Sequence, residues 1–368
     1  MKLLSVLIIL VFCCGMALCQ TSDWPVYRGN TDLTGYSDWQ LPENPKVLWS
    51  YNSGSRTKSS PVISDGLIFF GTEKGTINAI DLTGKVVWKL EAGSSADAPP
   101  LISGDKIVFS TSDGRLIAAD KRTGKLLWTY KTDNQIVGSA NTWRSGTRSG
   151  IVVGSYDFNL HCVDPDSGNM LWKVETNNYI NGTPAISGSS IVFGGCDGIV
   201  RVVDPFAGKE KDSIGIGVYI AGSPALFDSK AFFGDYEGNF YCLNLVSRKY
   251  DWKKISDGET SSIVAAPAVG KGVVIIGDDN KIIVCYSVSD GTIKWKFRTN
   301  GSVKGSCVIS GDKVLAVSMD RNVYILGLSD GSRKWSYNAG GSISSSPAVI
   351  KDYFFVLTED GRLIAFGK

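Results

Sequence analysis

Tryptophan recurs at a nearly constant interval along this chain, and that interval constrains the fold more than any other feature. The residues are Trp49, Trp88, Trp128, Trp172, Trp252, Trp295 and Trp335, with successive gaps of 39, 40, 44, 80, 43 and 40 residues. The double gap hides one absent member. Self-similarity at this period marks stacked supersecondary units, each unable to bury its own apolar face alone.

The first unit shows the pattern. Ser60-Pro61-Val62-Ile63 leads through Ser64-Asp65-Gly66 into Leu67-Ile68-Phe69-Phe70, and Glu73-Lys74-Gly75 turns the chain into Thr76-Ile77-Asn78-Ala79-Ile80-Asp81. Leu82-Thr83-Gly84 then leads to Lys85-Val86-Val87-Trp88. Short apolar runs separated by glycine-bearing turns predict four antiparallel strands. The same order restarts at Pro100, Ala140, Pro184, Pro224, Pro267, Cys307 and Pro347. Eight starts predict an all-β, eight-bladed β-propeller of four-stranded blades. The last start has room for only three strands before Lys368, whereas Lys46-Val47-Leu48-Trp49-Ser50-Tyr51 is an outer strand without a blade. The N-terminal strand is therefore expected to complete the final blade, which removes the open sheet edge of an unclosed array.

Within each unit the turn before the tryptophan is conspicuous: Asp81-Leu82-Thr83-Gly84, Asp120-Lys121-Arg122-Thr123-Gly124 and Asp164-Pro165-Asp166-Ser167-Gly168. The aspartate can cap the turn, glycine takes the left-handed position, and the tryptophan is expected to cover the neighbouring blade. These turns resemble the tryptophan-docking turns of the pyrroloquinoline-quinone-type (PQQ-like) repeat family, and Asp23-Trp24-Pro25-Val26-Tyr27-Arg28-Gly29-Asn30 is similar to a leader segment of its bacterial members. The resemblance implies a propeller over residues 46–368. It does not imply one activity, because this architecture hosts unrelated functions. The fourth unit departs from the rule: its turn Asp204-Pro205-Phe206-Ala207-Gly208 is intact, but Asp212 stands at the tryptophan position, and a looser outer strand is expected there.

Residues 1–19 read as a secretory signal peptide, with an apolar run from Leu3 to Phe12 and small residues before a cut after Cys19. Lipid attachment at Cys19 is the competing reading. Residues 20–45 form an N-terminal extension. Thirty-eight basic against 36 acidic side chains leave no electrostatic footprint for nucleic acid. The expectation is an exported monomer, periplasmic or outer-membrane-associated or extracellular, and peripheral to a membrane at most.

Quinoprotein dehydrogenases share the repeat, so the resemblance raises a bound quinone with calcium. Such enzymes place adjacent cysteines beside the cofactor; here the only adjacent pair, Cys13 and Cys14, lies in the leader, and no Glu/Asn/Asp set matches the site. No cofactor, metal site or catalytic residue is expected. His161, the only histidine, falls at an ordinary third-strand position. Cys162, Cys242 and Cys285 fall in a slot for small apolar side chains and should stay unpaired, which leaves Cys196 as the thiol expected to react most readily.

Two groups are candidates for partner contact. Thr142-Trp143-Arg144-Ser145-Gly146-Thr147-Arg148 reads as a long loop, either an interface with an exposed Trp143 beside Arg144 or a solvated insertion. Tyr156, Phe158, Tyr179, Tyr219 and Tyr236 should form an arc on the opposite face, edged by Asp157, Asp197, Asp235 and Glu237, with Tyr179 and Tyr219 expected to pack inward. The leading expectation is a non-catalytic protein-binding scaffold resembling the BamB-type subunit of outer-membrane β-barrel assembly. The alternatives are a small PQQ-dependent dehydrogenase and an extracellular glycan- or surface-binding module.

Overall fold

The computed structural model describes residues 23–256 and 261–368; the leader expected over residues 1–19 lies outside them. Eight antiparallel sheets follow one another in a ring. Blade 1 consists of Val62–Ser64, Leu67–Phe70, Thr76–Asp81 and Val86–Glu91, ordered from the inner strand outward. Blades 2 to 7 repeat this plan. Blade 8 combines Ala348–Ile350, Tyr353–Leu357 and Arg362–Gly367 with the early strand Lys46–Asn52, which pairs antiparallel to the third strand through Trp49 and Ala365. The expected closure by the N-terminal strand is what the structure shows.

Each blade is buried on both faces, which is why the inner three strands read as continuous apolar runs and only the outer strands alternate. A docking tryptophan joins six of the eight seams between blades. Trp128 is representative: its indole donates a 3.0 Å hydrogen bond to the Pro165 carbonyl in the following docking turn, and its ring lies against Gly168, where a Cβ would meet the ring at 2.7 Å. Trp49, Trp88, Trp172, Trp252 and Trp295 repeat this contact on Leu82, Lys121, Pro205, Val288 and Leu328. Trp335 cannot, because the turn that would receive it is split between the two chain ends; it packs edge-on against Phe354 and Phe366 of blade 8 instead.

Blade 4 resolves its missing tryptophan differently from expectation. Asp212 sits in a regular outer strand, Glu210–Gly215, in the register that tryptophan holds elsewhere. Its carboxylate forms a 2.6 Å ion pair with Arg248. Arg248 occupies the glycine position of the next docking turn, with φ of 61°. One tryptophan–glycine contact has been exchanged for an aspartate–arginine contact, so the strand is not looser.

Several docking-turn aspartates share a depressed pKa with a local cause. The Thr83, Thr123 and Ser332 hydroxyls hold Asp81, Asp120 and Asp330 below the ordinary carboxylate range. The Thr292 backbone N–H and hydroxyl push Asp290 down to about 2. Carboxylates depressed in the folded state stabilise it above their unfolded pKa, near 4, and that stability disappears as pH falls through the folded values. Thermal melts between neutral pH and pH of about 3 should therefore show a cooperative loss of stability beginning below about pH 4.

The N-terminal extension forms a ring of its own. Trp24 bridges Ile63 of blade 1, and the carbonyls of Pro25, Thr31, Asp32, Thr34 and Gly35 accept hydrogen bonds from Ile102, Ile186, Leu226, Val269 and Ile309 in turn. The segment thus visits blades 1, 2, 4, 5, 6 and 7 around the axis, on the side of the docking turns. Tyr36–Ser37 then adds a short parallel strand to Val308–Ser310 of blade 7. Its side chains Trp24, Val26, Arg28 and Leu33 are buried, and Arg28 donates to the carbonyls of Pro267 and Cys307.

Candidate protein-docking face

With the docking-turn side covered by this segment, the channel opens on the opposite face. It is a pit of about 170 Å³, reached by Tyr27 from below and walled by Ser60, Ser139, Thr183, Ser223 and Ser346. The hydroxyls are mostly committed between blades: Ser60, Ser223 and Ser346 accept the backbone N–H of Ser346, Thr183 and Ser306. These residues do not fit a quinone with calcium. The lining is hydroxyls, glycines and small apolar groups with Lys58 and Asn181 and holds no carboxylate, no three His, Cys, Asp or Glu side chains gather as a metal set among the described residues, and the five described cysteines are all free.

The aromatic arc lies around the pit mouth. Hairpin turns between second and third strands meet the connection arriving from the previous blade, as when Cys196 N–H donates to the Tyr179 carbonyl and Tyr236 N–H to the Tyr219 carbonyl. Tyr156 and Tyr179 stack at 4.3 Å, and Phe158 leans on Tyr179 at 5.2 Å. Tyr179 and Tyr219 do not pack inward: they are 39% and 57% exposed, and Tyr236 is equally open at 53%. Burial, with Cys196 and Tyr179 alongside, raises the Tyr156 phenol above its usual range.

Phe158 is the unusual member. It has φ of 68° and stands where five blades carry Gly75, Gly114, Gly198, Gly238 and Gly361, while Lys281 and Arg321 take the same left-handed position in blades 6 and 7, which leaves Phe158 as the one apolar ring among them. A left-handed conformation costs a residue with a Cβ roughly 1–2 kcal/mol, and an aromatic one there is an outlier. Its ring is nonetheless 41% exposed, so packing offsets only part of that cost.

The expected acidic edge is largely absent. Asp157 turns inward to His161 Nε2 at 3.0 Å, Asp197 to Arg201 at 2.6 Å, and Asp235 to the Tyr241 hydroxyl at 2.7 Å. Only Glu237 remains exposed. Burial would raise Asp157, but the His161 hydrogen bond and charge outweigh it and hold the carboxyl below its usual range. His161 also meets the Tyr130 hydroxyl of blade 2 through Nδ1 at 2.9 Å. It therefore ties blade 2 to the turn that presents Tyr156 and Phe158. The residues four positions after Asp157, Asp197 and Asp320, namely His161, Arg201 and Tyr324, all answer a turn carboxylate; that spacing was the sequence signal for an inward Asp.

Trp143 is buried, in the strand Asn141–Ser145, with its ring edge-on to Phe206 at 5.1 Å. The segment is a hairpin, not a loop, because Gly150 opposite leaves room for the indole; a Cβ there would come within 2.5 Å of it. Arg144 stays exposed, and Arg148 lies over Phe206. At Cys196, burial and then Asp197 raise the thiol pKa, which opposes thiolate formation.

Fold and face together define an eight-bladed propeller of PQQ-like repeats with a blind axial pit. The chain belongs to the family described as outer membrane protein assembly factor BamB, whose model matches residues 39–178 and 237–367. BamB from Moraxella catarrhalis is similar in structure, with 18% identity, a TM-score of 0.75, and coverage of 88% of this chain and 98% of that one. A europium-containing methanol dehydrogenase aligns with a TM-score of 0.81 at 13% identity over 94% of this chain and 98% of its own. A quinohemoprotein alcohol dehydrogenase from Comamonas testosteroni gives 0.79 at 14% identity over 94% and 80%. At these identities the likenesses speak to fold alone. No curated protein sequence matched the chain.

Proposed function

We propose that this protein is a non-catalytic docking scaffold of the bacterial cell envelope, acting in the assembly of outer-membrane β-barrel proteins. Membership of the BamB family supports the setting. The observation that carries the docking role is the exposed Phe158, held at positive φ beside the Tyr156–Tyr179 stack. In this reading Phe158, Tyr179, Tyr219 and Tyr236 supply the anchoring rings, Tyr156 and His161 position them, and the chain works as an exported monomer after loss of its leader. Arg144 stands on the other face and takes no part in this contact. The dehydrogenase alternative draws on the structural neighbours, but the pit lining holds no carboxylate and offers Asn181 alone as an amide donor to a metal.

Phe158→Gly separates docking from folding. Relief of strain offsets the lost ring contact, so stability should change by no more than about 1 kcal/mol. Capture of the barrel-insertion complex from native envelopes should fall roughly 30-fold, the equivalent of about 2 kcal/mol for a hot-spot ring. Tyr219→Ala combined with Tyr236→Ala should act in the same direction. Undiminished capture by these variants would remove the docking assignment, recovery of glycans alone would favour the surface-binding module, and quinone- and calcium-dependent dye reduction would establish an enzyme.

A further inference from the structure

The axial pit has a chemistry of its own, apart from the rings that surround it. Ser60 and Ser223 each accept a backbone N–H from a neighbouring blade, those of Ser346 and Thr183. A hydroxyl that accepts still has its own hydrogen to donate, and neither of these hydrogens is spent within the described residues. The Thr183 hydroxyl, also in the lining, makes no hydrogen bond there at all. Ser139 differs, because its hydroxyl donates to the Pro99 carbonyl. Three hydroxyl donors are therefore available to a group that enters the pit.

Charge around the cavity has the matching sign. Lys58 stands in the lining, three residues before Pro61, and its ammonium makes no ion pair among the described residues. Of the eight residues at this position, one in each blade, Lys304 and Asp97 are the other charged ones. Lys304 is exposed and likewise unpaired. Asp97 feels the Lys58 charge, but it lies outside the lining and accepts from the Ser95 hydroxyl. Glu359, the acceptor of the Ser344 hydroxyl, is held beside Arg56. Beneath the floor, Arg28 adds a buried cation with no carboxylate partner among the described residues. Its guanidinium bonds only the carbonyls of Pro267 and Cys307, and its Nε and Nη1 make no hydrogen bond. Cys307 follows Ser306, whose hydroxyl meets the Tyr27 hydroxyl at 3.1 Å, so this charge lies close under the cavity. A buried cation without a counter-ion is costly, and with little solvent between them its field extends into the pit.

We propose that the axial pit binds an oxyanion, a carboxylate or phosphate group, with Lys58 as its counter-charge and the hydroxyls of Ser60, Thr183 and Ser223 as donors. The site holds whichever protein docks on the arc. At about 170 Å³ the cavity is close to the roughly 150 Å³ that accommodates a benzene ring, so the group arrives on a small organic acid or phosphate ester, or on the end of a chain. Asn181 Oδ1, buried without a partner, accepts a hydroxyl or N–H of the same ligand. The test is isothermal titration of the full-length protein at neutral pH with inorganic phosphate, with malonate, and with an acetylated dipeptide ending in either a free carboxylate or an amide. Saturable binding of one anion per chain is expected. Lys58→Gln should weaken it roughly tenfold or more, the scale of a hydrogen bond to a charged group, and Thr183→Val several-fold. Lys281→Gln, on the same face but outside the pit, should match the parent. Lys58 is exposed and Thr183→Val keeps the backbone bond to Ser223, so unchanged thermal melts of both variants separate lost binding from lost folding. Preference for the carboxylate dipeptide over both small anions and over its amide would assign the oxyanion to a chain end, and the reverse order to a small metabolite. No saturable binding of any probe would overturn the proposal, as would equal affinity of the parent and Lys58→Gln. Glycerol bound as tightly as malonate would make the pit a polyol site and overturn it equally.

Discussion

Trp128→Ala should lower the stability of the propeller by about 3–5 kcal/mol, the usual cost of deleting a large buried aromatic side chain. The indole fills the space between blades 2 and 3, and its N–H satisfies the Pro165 carbonyl. Truncation opens a cavity at an inter-blade seam and leaves that carbonyl without its donor. Because the blades are joined in a closed ring, the damage should not remain local: one cooperative transition at lower denaturant concentration is expected, with an unchanged slope. Trp88→Ala and Trp295→Ala should behave alike, since both make the same contact. Trp335→Ala should be milder, because its indole makes no docking-turn bond and rests only on neighbouring rings. A loss below 1 kcal/mol at Trp128 would show that the docking contact is not what joins the blades.

The second large effect is expected at the seam between blades 4 and 5, where sign and not only size is informative. Asp212→Trp alone should destabilise by about 1–3 kcal/mol through overpacking. A tryptophan ring there would meet the side chain of Arg248, whereas the six docking rings each meet a glycine; at Gly208 a Cβ would already lie 2.5 Å from Trp172. Asp212→Trp combined with Arg248→Gly should instead stabilise, by about 2 kcal/mol, since a large aromatic group is buried and the left-handed arginine is relieved. The two substitutions should thus be coupled by several kcal/mol in a double-mutant cycle. Additivity would mean that the aspartate–arginine pair does not replace the tryptophan–glycine contact.

The seam also shows why neighbouring departures from a repeat deserve to be read together. Asp212 was conspicuous in its own unit, and taken alone it implied a slack strand. Arg248 lies 36 positions later, in a turn that lacks the usual glycine. The two form one contact because the outer strand of each blade lies on the docking turn of the next. The inward aspartates of the docking face depend on a much shorter spacing: Asp157 and Asp197 read as a charged rim until His161 and Arg201, four positions on, are placed beneath them. Trp143 was misplaced for a local reason. A polar, glycine-containing stretch reads as loop, and only the glycine across the hairpin reveals where the indole goes.

Blade number, strand order, closure by the early strand and the docking role of six tryptophans were all legible in the order of residues, because each depends on short-range turn chemistry repeated at a fixed period. The positions of residues 23–37 were not, since that segment has no period and is held by backbone groups of six different blades. Nor was the left-handed conformation of Phe158, which is a property of the turn's dihedral angles. Periodicity determines what each unit becomes; which side chains of different units face solvent together is decided only when the ring closes, because burial there depends on neighbours far away in the chain.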